Sequence, residues 1–110
     1  MDISEEKANN IVTLVLKGRL DASTSTQFET KLIGCIDKGE KRFIIDFADL
    51  DYISSSGLRV LLMGAKRLRE TSGKIVIASP QPHVKDVFDI AGFTAIFPIF
   101  SSRAEAAKNL

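Results

Sequence analysis

Phe43-Ile44-Ile45-Asp46-Phe47, then Ser54-Ser55-Ser56-Gly57, then Leu58, Leu61, Leu62, Ala65 and Leu68 form the stretch from which everything else can be placed. The first run is almost continuously apolar and rich in Ile and Phe, as expected of a strand lying centrally or covered on both faces. The last set repeats at helical spacing, so a helix is expected from about Ser56 to Thr71, stopped by Gly73. Between them a buried strand gives way to an amphipathic helix. Such a helix start offers unpaired backbone N–H groups and positive dipole potential, both favourable to a nearby anion. Ser56 is the expected N-cap. One hydroxyl suffices for that purpose, so Ser54 and Ser55 are surplus. They fall in an exposed turn at a strand end, where α/β domains commonly place ligands.

Working outward, Ile11 to Leu20 reads as a strand, with Val12, Leu14, Leu16 and Leu20 on one side. Asn9-Asn10 is good turn chemistry, so Asp2 to Lys7 is expected as a short antiparallel edge strand. Thr24 with Gln27 makes a capping box, after which Phe28, Leu32, Cys35 and Ile36 trace one helical face ended by Gly39. Asp46, Asp49 and Asp51 have paired-carboxylate spacing, but in a strand-to-helix turn such groups more often solvate it or bond backbone N–H groups. Lys74 to Ala78 is a second central strand. Pro82 suits the first turn of a short helix carrying Val84, Val87 and Phe88, ended by Gly92. Pro98 limits Ile96 to Phe100 to a brief edge strand, and Ser102 with Glu105 caps a short last helix. Strands alternating with helices imply a single α/β domain over residues 1–110, with a four- or five-stranded mixed sheet and about four helices packed largely on one side.

Composition narrows the function. The 110 residues carry a net charge of +1, so no global field draws the chain to nucleic acid or to anionic membrane. The start is acidic and lacks a signal peptide's apolar run, no stretch approaches spanning length, and the single cysteine, Cys35, fits a reducing compartment. A cytoplasmic domain is expected. Cys35 sits among Phe28, Leu32 and Ile36, a core setting rather than that of a reactive thiol.

Catalytic readings fail on the same residues. A nucleophile elbow wants a glycine two positions before the serine and a histidine base. Here Ile53 precedes Ser54-Ser55-Ser56-Gly57, and the only histidine, His83, follows Pro82. Neither phosphate-loop spacing nor clustered Cys/His ligands are present, so no enzyme, cofactor or metal is expected. What remains is modification from outside: a phosphoryl group on Ser55 would add about −1.5 to −2 charges.

Leu50-Asp51-Tyr52-Ile53-Ser54-Ser55-Ser56-Gly57-Leu58 resembles the signature of the STAS domain (sulfate transporter and anti-sigma-factor antagonist), in particular the stand-alone bacterial anti-sigma-factor antagonists. The likeness extends through Gly18-Arg19-Leu20-Asp21, Phe43 to Asp46, Gly73 to Ala78, Val87-Phe88-Asp89 and Ala91-Gly92-Phe93. It implies a STAS-like fold and Ser55 as the phosphoacceptor, with Ser54 and Ser56 as alternatives. The aspartate usual in the family falls on Ser54, where this chain departs from the pattern. The resemblance further implies that Asp21 lies near the acceptor. The implied partners are a serine-kinase anti-sigma factor, bound by the unmodified form so that a sigma factor is freed, and a PP2C-type phosphatase that restores the serine. Docking would then involve Asp21, Ser54, Ser56, Gly57 and Arg59. Arg59 is set against the helix dipole, so stability gives no reason for it. Two rivals stand beside this reading: a STAS module of another system, such as a stressosome-like scaffold or lipid-transport complex, and a nucleotide- or small-molecule-binding sensor.

Two further groups invite attention. Lys66, Arg67, Arg69 and Lys74 cluster at the end of the long helix, as a solvated face complementing its dipole or as a patch for an acidic partner. Phe93, Ile96, Phe97, Ile99 and Phe100 are dense in apolar surface; most should cover the sheet edge, and the chain is expected as a monomer or weak homodimer.

Overall fold

In a computed structural model covering residues 1–110, five strands lie in the order in which the chain makes them. β1 (Asp2–Ala8) pairs antiparallel with β2 (Ile11–Leu20). Asn9 and Asn10 both take positive φ, 55° and 63°, giving the mirror-image turn whose twist suits a tight hairpin. β3 (Arg42–Ile53), β4 (Lys74–Ala78) and β5 (Ile99–Phe100) follow, all parallel to β2. β5 is the expected edge strand, and Pro98 stands just before it.

The helices connecting these strands are α1 (Ser25–Asp37), α2 (Ser55–Arg69) and α3 (Pro82–Ile90); α4 (Arg103–Lys108) closes the chain. A single turn of 3-10 helix occupies Phe93–Ala95. Because successive parallel strands add in one direction, right-handed crossovers put every connecting helix on the same face. That face holds the main core of 21 buried residues, among them Phe28 and Leu32 of α1, Leu58, Leu61 and Leu68 of α2, and Val84 and Phe88 of α3. Phe88 meets Phe47, Phe93 and Phe97 edge-on, with centroids 5.9 to 6.4 Å apart. Leu62, Ala65 and Ile36, expected on core faces, are only half-buried. α4 covers the opposite face, where Ala106 packs on Ile44, Val76 and Ala78.

β3 runs well past Phe47, the expected end. Its register against β2 slips twice, between the Val15/Asp46 and Lys17/Asp49 pairs and again between Gly18/Leu50 and Arg19/Tyr52. Each slip admits one extra residue on β3. The buried positions therefore step from Phe43, Ile45 and Phe47 to Leu50 and then Ile53, and strict alternation is lost. Asp49 and Asp51 consequently stand on the strand, exposed, rather than in a turn as expected.

Two capping expectations are corrected. Ser54, not Ser56, caps α2. At α1, Thr24 occupies the N-cap position without a capping bond. Its hydroxyl donates to the Arg19 carbonyl at 2.7 Å, and Gln27 Nε2 donates to the Met1 carbonyl. Asp21 takes over, its Oδ1 accepting from the N–H groups of Ser23 and Thr24. The Ser102 cap is as expected, its Oγ accepting from Glu105 N at 3.1 Å.

Candidate functional site

The site is assembled where β2 and β3 end together. Leu20 pairs with Ile53, and the Leu20 carbonyl accepts a 2.8 Å bond from Ser54 N. This clamp sets the turn after β2, starting at Asp21, beside the turn that opens α2. The cause is mechanical: two parallel strands stop in register.

Within the serine turn the four residues differ in circumstance. Ser54 is extended (φ −96°, ψ 171°); its carbonyl accepts from Leu58 N at 3.1 Å and its Oγ from Gly57 N at 3.4 Å. Ser55, the first helical residue, is exposed, whereas Ser56 is half-buried. Gly57 is buried, and a Cβ there would stand 2.7 Å from both Cγ and Cδ2 of Leu20 and 3.1 Å from Ile53 Cγ1. Glycine is required at this point because the helix start lies directly on the two strand ends. Arg59 is exposed and enters none of the chain's ion pairs.

The electrostatics are mixed. The first turn of α2 carries no acidic residue, so the orphan N–H groups of Ser55 and Ser56 project an uncompensated positive end. In the neighbouring turn after β2, Asp21 is an ionised carboxylate. The Ser23 hydroxyl, donating at 2.8 Å, together with the Thr24 bonds, holds its carboxyl below the usual range, and partial burial opposes them less strongly.

Some contacts of this neighbourhood were not expected from sequence. Ser23 and Thr24 build the Asp21 turn; Asp-x-Ser-Thr is a recognisable Asx-turn pattern and could have been read. Arg19 lies 4.3 Å over the Tyr52 ring on paired strands, a contact that only the bulged register creates. His83 is exposed and donates through Nε2 to the Asp51 carbonyl. Gln81 Nε2 likewise donates to the Ala48 carbonyl at 3.1 Å. β4 accompanies β3 only to Asp46, and these two side chains bond backbone groups that β4 leaves open. Cys35 is buried; burial, with Glu5 beside it, pushes its thiol up, so it stays protonated and poorly nucleophilic.

No helix is long and apolar enough to cross a membrane. The model of the STAS domain matches residues 2–106, and the chain belongs to the STAS domain family. By sequence it is 42% identical over 107 residues to BtrV of Bordetella bronchiseptica, a candidate anti-sigma factor antagonist, covering 97% of this chain and 92% of that one. By structure it is similar to a candidate anti-sigma factor antagonist of Thermotoga maritima, with TM-score 0.93 at 19% identity over 97% of this chain and 92% of that one. It is also similar to the anti-sigma factor antagonist SpoIIAA of Bacillus in its unphosphorylated and phosphorylated forms. There the TM-scores are 0.77 and 0.78 and the identities 23% and 24%, over 98% of this chain and 96% and 98% of those.

Proposed function

We propose that this chain is an anti-sigma-factor antagonist whose docking is switched by phosphorylation of Ser55. The observation that carries the assignment is the division of labour in the turn. Ser54 is committed to capping, Ser56 is half-buried, and Ser55 alone of the three is exposed. The family likeness and the named relatives support the antagonist reading, and SpoIIAA, solved in both states, shows that this fold exists with and without a phosphate.

In this reading the unmodified domain binds a serine-kinase anti-sigma factor in the cytoplasm through the Asp21 turn, Ser54, Ser56 and Arg59, and frees the sigma factor. The kinase transfers the γ-phosphoryl group of ATP to Ser55 Oγ; the hydroxyl proton leaves and ADP is released. A dianion now stands where the interface accepted a neutral hydroxyl, next to the Asp21 carboxylate. The orphan N–H groups of α2 stabilise the phosphate, so the fold persists while the interface does not. A PP2C-type phosphatase resets the turn by hydrolysis. All catalytic groups belong to the partners.

The test is phosphosite mapping with the cognate kinase and ATP, joined to pull-downs of wild type, Ser55→Ala and Ser55→Asp. The alanine form should capture the kinase and take no label, and the aspartate form should capture much less. Labelling undiminished in Ser55→Ala would reject the assignment.

A further inference from the structure

The far end of α2 presents a feature that the serine turn does not use. Ala65, Leu68, Gly73, Ile75, Ile96, Phe97 and Pro98 enclose a groove of about 180 Å³, rimmed by Arg69 and Lys74. Its floor is buried Leu68, Ile75 and Phe97, while Ile96 on its wall is 45% exposed. Small-molecule sites run to about 300–1,000 Å³, so this groove suits an inserted side chain rather than a cofactor.

The rim is more basic than the fold needs. A helix C-terminus carries the equivalent of about half a negative charge, yet Lys66, Arg67 and Arg69 all fall in the last turn of α2. Arg67 is paired with Asp37 at 2.8 Å. Lys66 and Arg69 enter none of the five ion pairs; Lys74 lines the groove near its backbone, while its ammonium turns to the α4 side and donates to the Asn109 carbonyl at 3.4 Å. Glu70, adjacent in sequence, is paired with none of them. A Cβ on Gly73 would stand 2.7 Å from the Lys41 carbonyl oxygen and 2.6 Å from Leu68 Cδ2, so the backbone closes tightly here and holds Lys41, Lys74 and the groove floor together.

We propose that this groove docks an acidic peptide segment of a partner protein, which inserts one apolar side chain beside Ile96 and sets its carboxylates against Arg69 and Lys66 on the last turn of α2. A peptide is favoured over single-stranded nucleic acid because the groove offers no exposed aromatic ring for a base to stack on; Tyr52, the exposed aromatic, stands at the serine end. At about 1.5 Å per residue, the fifteen residues of α2 separate the groove from Ser55 by roughly 20 Å. This exceeds the Debye length of about 8 Å at physiological ionic strength. Docking here is therefore indifferent to a charge on Ser55, and a partner held by this groove stays attached through both states of the proposed switch. Only that last consequence rests on the serine reading.

The probe is a short Asp/Glu-rich peptide carrying a Leu-Phe pair, titrated into isotope-labelled full-length protein. Binding should saturate below about 1 mM at low salt and shift the amides of Ala65, Leu68, Gly73 and Ile96. Lys66→Glu with Arg69→Glu, and separately Ile96→Asp, should each weaken it by about tenfold or more; melting curves verify folding, and exposed Arg69 serves if Ile96→Asp does not fold. Ser55→Asp should leave the affinity unchanged. The proposal is overturned if an equally charged peptide with Ser in place of Leu-Phe binds as well, if a dT oligonucleotide or phosphatidylglycerol vesicles bind more tightly, or if the shifted amides lie elsewhere.

Discussion

Three adjacent serines with one side-chain chemistry end up in three environments, and it is backbone position that separates them. Ser54 caps, Ser55 faces solvent and Ser56 turns half inward, because the cap of α2 falls two residues earlier than Ser56-Gly57 suggests. Gly57 fixes that geometry. Gly57→Ala forces a methyl against Cγ of fully buried Leu20, and overpacking of this kind costs about 1–3 kcal/mol; thermal melts should show a clear fall in Tm. Asp21 gives a pH signature. Its carboxyl is lowered chiefly by the Ser23 hydroxyl, so the stabilisation from its turn is complete above the ordinary aspartate value of about 3.9 and is lost as pH falls through the lower folded value. A carboxyl carbon NMR titration of Asp21 should report a depressed midpoint that moves up in Ser23→Ala.

Among the elements, the strands and helices lie close to where periodicity and punctuation place them, and the differences have definite physical origins. Phe47 looked like the end of β3 because the two register slips break the alternation on which a strand is recognised. Nothing in Ala48-Asp49-Leu50-Asp51 shows which partner residue each will face. Thr24 and Gln27 have the right spacing for a capping box, but the Arg19 and Met1 carbonyls attract their side chains instead, and those are tertiary contacts. The serine turn was legible because its residue types are unusual; the Arg19–Tyr52 stack was not, because it needs the bulged register. His83 illustrates the same limit. As an element-level tie between α3 and β3, its loss in His83→Ala should cost about 1 kcal/mol and speed amide exchange in the last residues of β3; exchange unchanged there would remove this role.

For the whole molecule, α4 is the piece that joins both ends of the chain to the middle. Arg103 Nε donates to Asp46 Oδ2, and its Nη1 reaches Glu6 Oε2 at 3.0 Å, so one guanidinium links β1, β3 and α4. Asp46 is only 4% exposed and also accepts from Ala48 N at 2.9 Å. The two carboxylates hold the guanidinium pKa above its ordinary value, Asp46 contributing most. Arg103→Ala strands a buried carboxylate; because the guanidinium is 43% exposed, the cost should fall at about 1–3 kcal/mol, below that of a fully enclosed pair. Denaturant melts measure it, and adding Asp46→Asn to Arg103→Ala should recover part of the loss, because the unpaired buried charge is then gone.

The stretch of β3 beyond Asp46 has β2 on one flank and two side-chain hydrogen bonds, from Gln81 and His83, on the other. The serine turn thus sits at the tip of a promontory, with Asp49 and Asp51 bare along its length and Tyr52 partly covered by Arg19. A visiting protein can grip such a headland from the side as well as head-on, and releasing it requires no rearrangement inland.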